Sequence, residues 1–585
     1  MDILLVVLIG VVAVAVVTSL AQRLGVAGPL LLVALGLVVG LLPFVHFPEI
    51  DPELILVGVL PPLLYSAAVR LPAIEFRRDF TPIAGLAIVL VVITALALGW
   101  FFSLVLPGVG FALGVALGAI ISPTDAVATG IAKRLGISPR VTTMLEGESL
   151  LNDATALVLL RTALLAVAAG SFSFGAAVGS FAWGVLIAGI VGGILGLVAV
   201  RLRSWVQSSA ASTAIGFTVP FLAYLPTEHL GGSGLVAAVV AGIVAGQGAQ
   251  RWFTPEQRLS DEVNWRTVEL VLEGGIFLIM GLELNQIVSD VLERHEGIAL
   301  PTGVALAALA IALLVRAGYV SLLLWLGRAR GRRMDRSRFE QIDARLNQIE
   351  ASGWPERGGE RGARRGGPRR QLSTQQRQRR LTSMRERVSR ALADLDYYQA
   401  SPLGWRHGTI IVWAGMRGVV TLAAAQTIPR TVETRPELVY IAFLVALVSL
   451  MLQGFSLPWV VKLVGLDAKS ETPVDTTERD RIQAELRDAA IAALSDPELR
   501  RRDGSAFDTS MLQRVGTRYA QLPDEKADAL ATDVLELRLA LLEAMRGRLN
   551  ELSSGGRFST GALRHSLAQL DADQLSLELR LREDD

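Results

Sequence analysis

The sequence is poor in the residues that build most metal centres and nucleophilic sites. It contains no cysteine, which excludes disulfides, thiolate metal ligands and cysteine nucleophiles. Its five histidines are scattered along the chain without metal-ligand spacing. A formal net charge of +1 over 585 residues gives no support for nucleic-acid binding. Charge is sparse up to Gly327 and dense in 328–403 and after Asp467, which predicts a membrane body with two soluble parts.

Long apolar runs dominate what remains. Hydrophobic residues make up 51% of the chain, and the mean hydropathy is +0.46. A bilayer core of ~30 Å requires a helix of ~20 apolar residues. The sequence therefore predicts an all-α polytopic membrane protein with about 13 spans, at 3–20, 28–44, 53–69, 83–106, 110–131, 141–167, 174–200, 211–227, 232–248, 267–287, 299–327, 408–428 and 437–465.

The positive charges of the connecting loops alternate in step with these spans. The first four loops on one side carry no Lys or Arg, and later loops on that side carry only three arginines. Basic residues concentrate in cytoplasmic loops, so we expect the N-terminus outside and the C-terminus in the cytoplasm. The bases assigned to the inner loops are Arg23, Arg70, Arg77, Arg78, Lys133, Arg134, Arg140, Arg201, Arg203, Arg251, Arg258 and Arg266.

Four regions follow from this pattern. We predict spans 1–11 in residues 1–327, an Arg-rich cytoplasmic loop in 328–403, spans 12 and 13 in 404–466, and a helical cytoplasmic domain in 467–585. The large excess of arginine over lysine indicates a GC-rich bacterial source, and so a bacterial inner (cell) membrane location. The basic loop is expected to contact anionic lipid or to remain solvated.

The fifth span is interrupted by polar residues. Pro123 lacks a backbone donor and clashes with the preceding turn, so we expect the helix to break within Ile121–Ala126. The break would expose backbone groups beside Thr124 and Asp125 within the membrane, as in the ion sites of many transporters. The alternative is a proline kink in which Asp125 only caps the second half-helix.

The sixth span carries a polar face near its middle. Glu148, Ser149, Asn152 and Asp153 lie at positions i, i+1, i+4 and i+5, which share one helix face. Their oxygen atoms suit a small hard cation. Asp153 lies about twelve residues into the span, or ~18 Å, which is near mid-membrane. The alternative is a polar packing face without transport.

Two arginines also lie inside apolar spans. Arg316 is in the middle of the eleventh span, and Arg417 is flanked by two glycines in the twelfth, where they predict a second broken helix. A buried arginine keeps its proton and requires an anion. Glu148 is the first choice as partner of Arg316, which leaves Asp153 free to titrate, but Arg417 is also a possible partner. Both arginines can equally form purely structural ion pairs.

These motifs resemble the cation/proton antiporter superfamily, in particular its electroneutral branch of NhaP-like bacterial sodium/proton exchangers. The resemblance covers roughly residues 1–465. It rests on Gly147–Asp153 with its Asn-Asp pair, on the Thr124-Asp125 turn, and on Gly415–Gly418, in this order on the fifth, sixth and twelfth spans. The resemblance implies a dimerisation domain and a six-helix core of inverted repeats, spans 4–6 and 11–13, whose two interrupted helices cross.

The resemblance also implies roles for individual residues. Asp153 would bind either the cation or a proton, and Thr124, Asp125 and Ser149 would complete a Na⁺ shell. Asn152 would support the crossing helices, together with Pro123 and Arg417 at the breaks, and Glu148 would pair with Arg316. Two positions depart from the family pattern. No acid follows Pro61-Pro62-Leu63-Leu64, and Ala126 replaces a common proline.

The predicted function is secondary antiport, not enzymatic catalysis. We expect exchange of Na⁺, or Li⁺ in its place, for H⁺ by alternating access in a homodimer, with a role in pH homeostasis and no cofactor besides the transported ions. The alternatives are a K⁺/H⁺ antiporter on the same scaffold and a non-transporting membrane sensor. An intramembrane aspartyl protease using Asp125 and Asp153 is disfavoured, because the Gly-x-Gly-Asp context of such enzymes is absent.

Overall fold

The computed structural model describes residues 2–42, 52–125, 127–169, 174–292, 297–331 and 402–466, with isolated residues elsewhere. The chain divides into two compact units, Met1–Glu471 and Thr472–Asp585. Most of the predicted loop 328–403 and of the predicted helical domain 467–585 lies outside the described residues, so the predicted domain boundaries stay predictions. The described part of the first unit is helical and contains no strand.

The helices of the first unit are numbered here in chain order. They are α1 (Asp2–Leu24), α2 (Gly28–Gly40), α3 (Leu54–Arg70), α4 (Ala73–Arg78), α5 (Phe80–Val105), α6 (Phe111–Ile121), α7 (Val127–Arg134), α8 (Pro139–Ala169), α9 (Phe174–Trp205), α10 (Ser209–His229), α11 (Gly234–Trp252), α12 (Pro255–Leu282), α13 (Leu284–Leu292), α14 (Ala299–Gly331), α15 (Trp405–Trp413), α16 (Val419–Gln426) and α17 (Arg435–Val464).

The predicted apolar runs overlap these helices, and the fifth and twelfth runs are each split into two. Within the described residues, six helices are long and apolar enough to cross a membrane, and four shorter helices are also apolar. The tenth run was predicted from residue 267, but α12 begins at Pro255. Thr254 and Gln257 form a capping box there, which starts the helix in a polar segment that hydropathy does not detect.

The helices form two groups around the site. In the first group, which we call the scaffold, α3 and α9–α11 pack together, and α12 packs on α1, α2 and α10. In the second group, the core, α5 packs on α6, α8 and α14, and α17 packs on α14 and α16. The core therefore brings spans 4–6 together with spans 11–13.

Small residues allow the helices to approach closely. A Cβ at Gly114 of α6 would lie 2.6 Å from the Gly99 carbonyl oxygen of α5, and one at Gly242 of α11 would lie 2.7 Å from the Tyr65 carbonyl oxygen of α3. Backbone contact of this kind is how helices associate where lipid replaces water. The glycines of α11 thus explain the close packing within the scaffold.

Candidate ion-binding site

Two interrupted helices meet in the core. The chain leaves helical geometry between Ile121 and Val127 and again between Trp413 and Val419. The Asp125 amide donates to the Met416 carbonyl at 2.8 Å, and Arg417 Nε donates to the Ile121 carbonyl at 3.2 Å. The backbone groups freed at one break therefore find partners at the other, which satisfies polar groups that lipid would leave unpaired.

Asp125 stands at the contact between the breaks. Its Oδ1 accepts from the Val127 amide at 3.1 Å and so caps α7. A Cβ added to Gly418 would overlap the Asp125 carboxylate. Only glycine fits at this position, and the two glycines around Arg417 thus permit both the break and the close approach of the carboxylate.

The polar face predicted on α8 points into the protein. Glu148 and Asn152 are each 1% exposed, Asp153 is 6% exposed and Ser149 is 8% exposed. Asn152 Nδ2 donates to Thr124 Oγ1 at 2.6 Å, and Thr124 Oγ1 lies 3.4 Å from Glu148 Oε1. The first break and the middle of α8 are therefore joined by side-chain hydrogen bonds.

Glu148 forms a buried bidentate ion pair with Arg316. Arg316 Nη1 contacts Glu148 Oε1, and Nη2 donates to Oε2 at 2.9 Å. Arg316 Nε and Nη2 also donate to the Ile411 carbonyl, at 3.0 and 2.8 Å. This arginine thus links α14, α8 and α15 in a single set of charge-assisted bonds.

Arg417, the other candidate partner, bonds to main-chain carbonyls. Its Nη1 donates to the Gly415 carbonyl at 2.6 Å, and its amide donates to Ser449 Oγ at 2.9 Å. Arg417 and Glu148 both line a small cavity of about 10 Å³, together with Ser122, Asn152 and Arg316. The geometry pairs Glu148 with Arg316 and assigns Arg417 to holding the second break.

Asp153 is buried beside this network without belonging to it. Its Oδ1, like Asn152 Oδ1, has no hydrogen-bond partner among the described residues. Asn152, which precedes Asp153 on α8, bonds to Thr124, and Asp125 follows Thr124 at the first break, so both carboxylates flank this bond in the chain. Buried acceptors without a donor are rare in folded proteins, and an oxygen left in this state is available to a proton or a cation.

A cavity of about 500 Å³ lies between the core and the scaffold. Ser149 of α8 and Thr129 of α7 line it on the core side, and Glu269 and Glu273 of α12 line it on the scaffold side. The lining also includes four of the bases assigned to the inner loops, namely Arg70, Lys133, Arg134 and Arg266.

Ion pairs neutralise two of the carboxylates in the cavity wall. Glu269 pairs with Arg70, and Glu146 pairs with Lys133. A third pair joins the core to the scaffold beyond the cavity, where Arg161 Nη1 donates to Glu228 Oε2 at 2.6 Å. The two residues are 67 positions apart in the chain, one in α8 and the other in α10.

The matching family model is described as sodium/hydrogen exchanger, transmembrane, and it covers residues 10–345 and 388–463. The chain belongs to the sodium/hydrogen exchanger family. It is similar to an uncharacterized Na⁺/H⁺ exchanger of Mycobacterium tuberculosis, with 28% identity over 98% of this chain and 96% of that protein. An uncharacterized Na⁺/H⁺ exchanger of Escherichia coli is 35% identical over 46% of this chain and 50% of its own length.

Two further comparisons extend this result. A sodium, potassium, lithium and rubidium/H⁺ antiporter of Bacillus subtilis is 31% identical over 49% of this chain and 44% of its own length. The solved structure of the sodium proton antiporter MjNhaP1 from Methanocaldococcus jannaschii matches with a TM-score of 0.55 and 18% identity, over 80% of this chain and 100% of that chain. The chain is therefore a multi-pass membrane protein with the antiporter fold.

Proposed function

We propose that the chain exchanges Na⁺ for H⁺ across the membrane, with Asp153 as the residue that binds either ion. The observation that carries this proposal is the buried Asp153 Oδ1 without a hydrogen-bond partner among the described residues. It lies on the face where Glu148 is already neutralised by Arg316. Membership in the sodium/hydrogen exchanger family supports the same function.

The cation shell combines α8 with the first break. Carboxylate oxygens of Asp153 and Asp125 and hydroxyl oxygens of Thr124 and Ser149 are hard ligands of the kind that Na⁺ prefers. Asn152 positions Thr124 through its 2.6 Å hydrogen bond. Na⁺ and H⁺ are the substrates of the reaction, and the proposal requires no resident cofactor.

Competition for one carboxylate couples the two ions. A cation or a proton neutralises Asp153, whereas an unloaded Asp153 would carry a bare buried charge through the conformational change. The core therefore moves when loaded with either ion and resists moving when empty. Exchange of one charge for one is electroneutral.

The cavity indicates the conformation in which the site is accessible. Its lining runs from bases of the inner loops to Ser149. The Arg161–Glu228 pair lies twelve residues, or ~18 Å, further along α8 and links core to scaffold there. We propose that the cavity is the cytoplasmic access path and that this pair helps to close the outer side in the inward-open state.

The membrane arrangement is part of the same proposal. It comprises 13 spans with inverted repeats, an outer N-terminus, a cytoplasmic C-terminus and a homodimer in a bacterial inner membrane with lipid around it. The alternation of loop arginines supports the orientation. The apolar surface of α1 and α9 agrees with burial against lipid or a second copy.

K⁺/H⁺ exchange is the second candidate. A relative from Bacillus subtilis is named for sodium, potassium, lithium and rubidium. In addition, this chain has Tyr65 and Ser66 after Pro61-Pro62-Leu63-Leu64, where many family members carry an acid. A shell with fewer carboxylates discriminates less strongly between monovalent cations.

Proton-coupled flux in sealed proteoliposomes tests both candidates. Na⁺, Li⁺ and K⁺ are added in turn to vesicles that hold a pH gradient, with wild type, Asp153→Asn and the control Glu262→Gln, an exposed carboxylate paired with Arg266. We expect Na⁺ to collapse the gradient in wild type and control but not in Asp153→Asn. Collapse by K⁺ alone would favour the second candidate, and no collapse by any cation would favour a sensor.

A further inference from the structure

Two adjacent tyrosines dock on the corner between α4 and α5. They come from the Arg-rich segment between α14 and α15. The Tyr397 hydroxyl donates to Asp79 Oδ2 at 3.0 Å, and the Tyr398 hydroxyl donates to the Arg78 carbonyl at 2.7 Å. Burial raises the pKa of the Tyr397 hydroxyl above its ordinary value, and the negative charge of Asp79 is the second cause of this shift. The phenol therefore remains a hydrogen-bond donor throughout the physiological pH range.

The acceptor of the Tyr397 bond belongs to a buried ion pair. Asp79 is 0% exposed and Arg140 is 8% exposed. Arg140 Nε donates to Asp79 Oδ2 at 3.0 Å, and Nη2 donates to Oδ1 at 2.9 Å. The Arg140 guanidinium lies 5.5 Å from the ring centre of Tyr397 and 4.8 Å from that of Tyr398, within cation–π range. The two tyrosines thus complete the shell around this pair.

The pair holds the core end of the chain connection between scaffold and core. Arg140 is the second residue of α8, the helix that carries Asp153. Asp79 directly precedes α5 of the core, and α4 leads back to α3 of the scaffold. Any rocking of the core against the scaffold bends this connector, Leu71–Asp79. A contact that fixes its end to the start of α8 therefore opposes the motion.

We propose that Tyr397 and Tyr398 form a regulatory clamp, through which the cytoplasmic segment docks on the Asp79–Arg140 pair and slows exchange. The inference rests on the proposed function, since it assigns to that function a control element. The segment then acts on turnover and not on the cation site. Release of the clamp accelerates the conformational step and leaves ion affinity unchanged.

Loss of the two hydroxyls tests the direction of the effect. Tyr397→Phe/Tyr398→Phe removes both donors and keeps both rings. Because a hydrogen bond between neutral groups changes an equilibrium by about two- to tenfold and one to a charged acceptor such as Asp79 by about ten- to 150-fold, we expect the maximal exchange rate to rise at least about tenfold with an unchanged apparent KM for Na⁺. The control is Tyr440→Phe, whose hydroxyl bonds to Thr302 elsewhere in the core. An unchanged or lower maximal rate in the double variant would overturn the proposal.

Cross-linking tests the docked state directly. Because the chain has no cysteine, Arg78→Cys/Tyr398→Cys supplies its only two thiols, and a short bifunctional methanethiosulfonate can bridge them. We expect the bridge to form, to slow exchange below the rate of the unbridged double-cysteine variant, and to be reversed by a reducing agent, whereas the same reagent leaves the rate of each single-cysteine variant unchanged. Exchange at an undiminished rate with the bridge in place would refute the clamp. Bridge formation is measured by mass spectrometry and does not depend on transport. Absence of the bridge would refute the docking, whereas absence of Na⁺ exchange in the wild type would refute the proposed function.

Discussion

The Glu148–Arg316 pair is the contact whose loss should damage the protein most. The partners are 1% and 2% exposed, and Arg316 → Leu would leave the Glu148 carboxylate buried with only a 3.4 Å contact to Thr124. Removing one member of a buried pair costs about 3–5 kcal/mol. The folded-to-unfolded ratio would fall about 100- to 4,000-fold, at ~1.4 kcal/mol per factor of ten. Glu148→Gln should cost less, because Arg316 keeps its bonds to the Ile411 carbonyl.

The stabilities of these variants are compared by thermal unfolding of the purified proteins in detergent, with the folded fraction measured by size-exclusion chromatography. We expect Arg316→Leu to unfold at the lowest temperature. Glu148→Gln/Arg316→Leu should be less destabilised than the sum of its single changes, with a coupling of about 0.5–3 kcal/mol. The control is Arg161→Gln, whose half-exposed pair should contribute at most about 1 kcal/mol. If Arg316→Leu unfolds at the same temperature as the wild type, the buried Glu148–Arg316 pair does not stabilise the protein.

Three further predictions concern the helix crossing, the cation shell and the outer pair. Gly418→Ala should abolish exchange, because its Cβ would overlap the aspartate carboxylate at the break, whereas Gly275→Ala, in open space, should not; flux of both variants checks this. Thr124→Val should raise the apparent KM for Na⁺ about tenfold, since it removes a proposed hydroxyl ligand and leaves the buried Asn152 amide without its acceptor, and Thr124→Ser should not. Arg161→Glu should reduce labelling of a single cysteine in the cavity from the cytoplasmic side, because it breaks the pair proposed to close the outer side in the inward-open state. Adding Glu228→Arg to the same chain should restore the labelling, and equal labelling of all variants would argue against this role of the pair.

Sequence patterns predicted the apolar helices and the breaks in two of the spans. Apolar runs of membrane length predicted the helices, because lipid selects for both length and hydropathy. Pro123 and the two glycines around Arg417 predicted the interruptions, because each disturbs a helix for a local steric reason. The grouping of spans 4–6 with 11–13 came from the family resemblance and is confirmed by the packing. Hydropathy failed at the start of α12, where a polar capping box begins the helix.

The partners of charged residues could not be predicted with the same precision. On the basis of charge, Arg316 and Arg417 were equally suitable partners for Glu148. The packing of α14 against α5 and α17 brings Arg316 to Glu148. The Asp79–Arg140 pair was not detected, because Arg140 was interpreted only as a base of an inner loop and Asp79 was given no role. No local pattern indicates that Tyr397 returns to cover them, since that contact spans more than 300 residues of chain.

The central claim is that Na⁺ and H⁺ share one site at Asp153, and the pH dependence of the apparent KM for Na⁺ tests it most directly. The initial rate of exchange is measured in wild-type proteoliposomes between pH 6 and pH 9. We expect the apparent KM for Na⁺ to increase about tenfold for each unit by which the pH falls on the acid side of this range, at an unchanged maximal rate, because protons compete with Na⁺ for the same carboxylate. A KM for Na⁺ that is independent of pH across this range, or continued Na⁺/H⁺ exchange by Asp153→Asn, would contradict it.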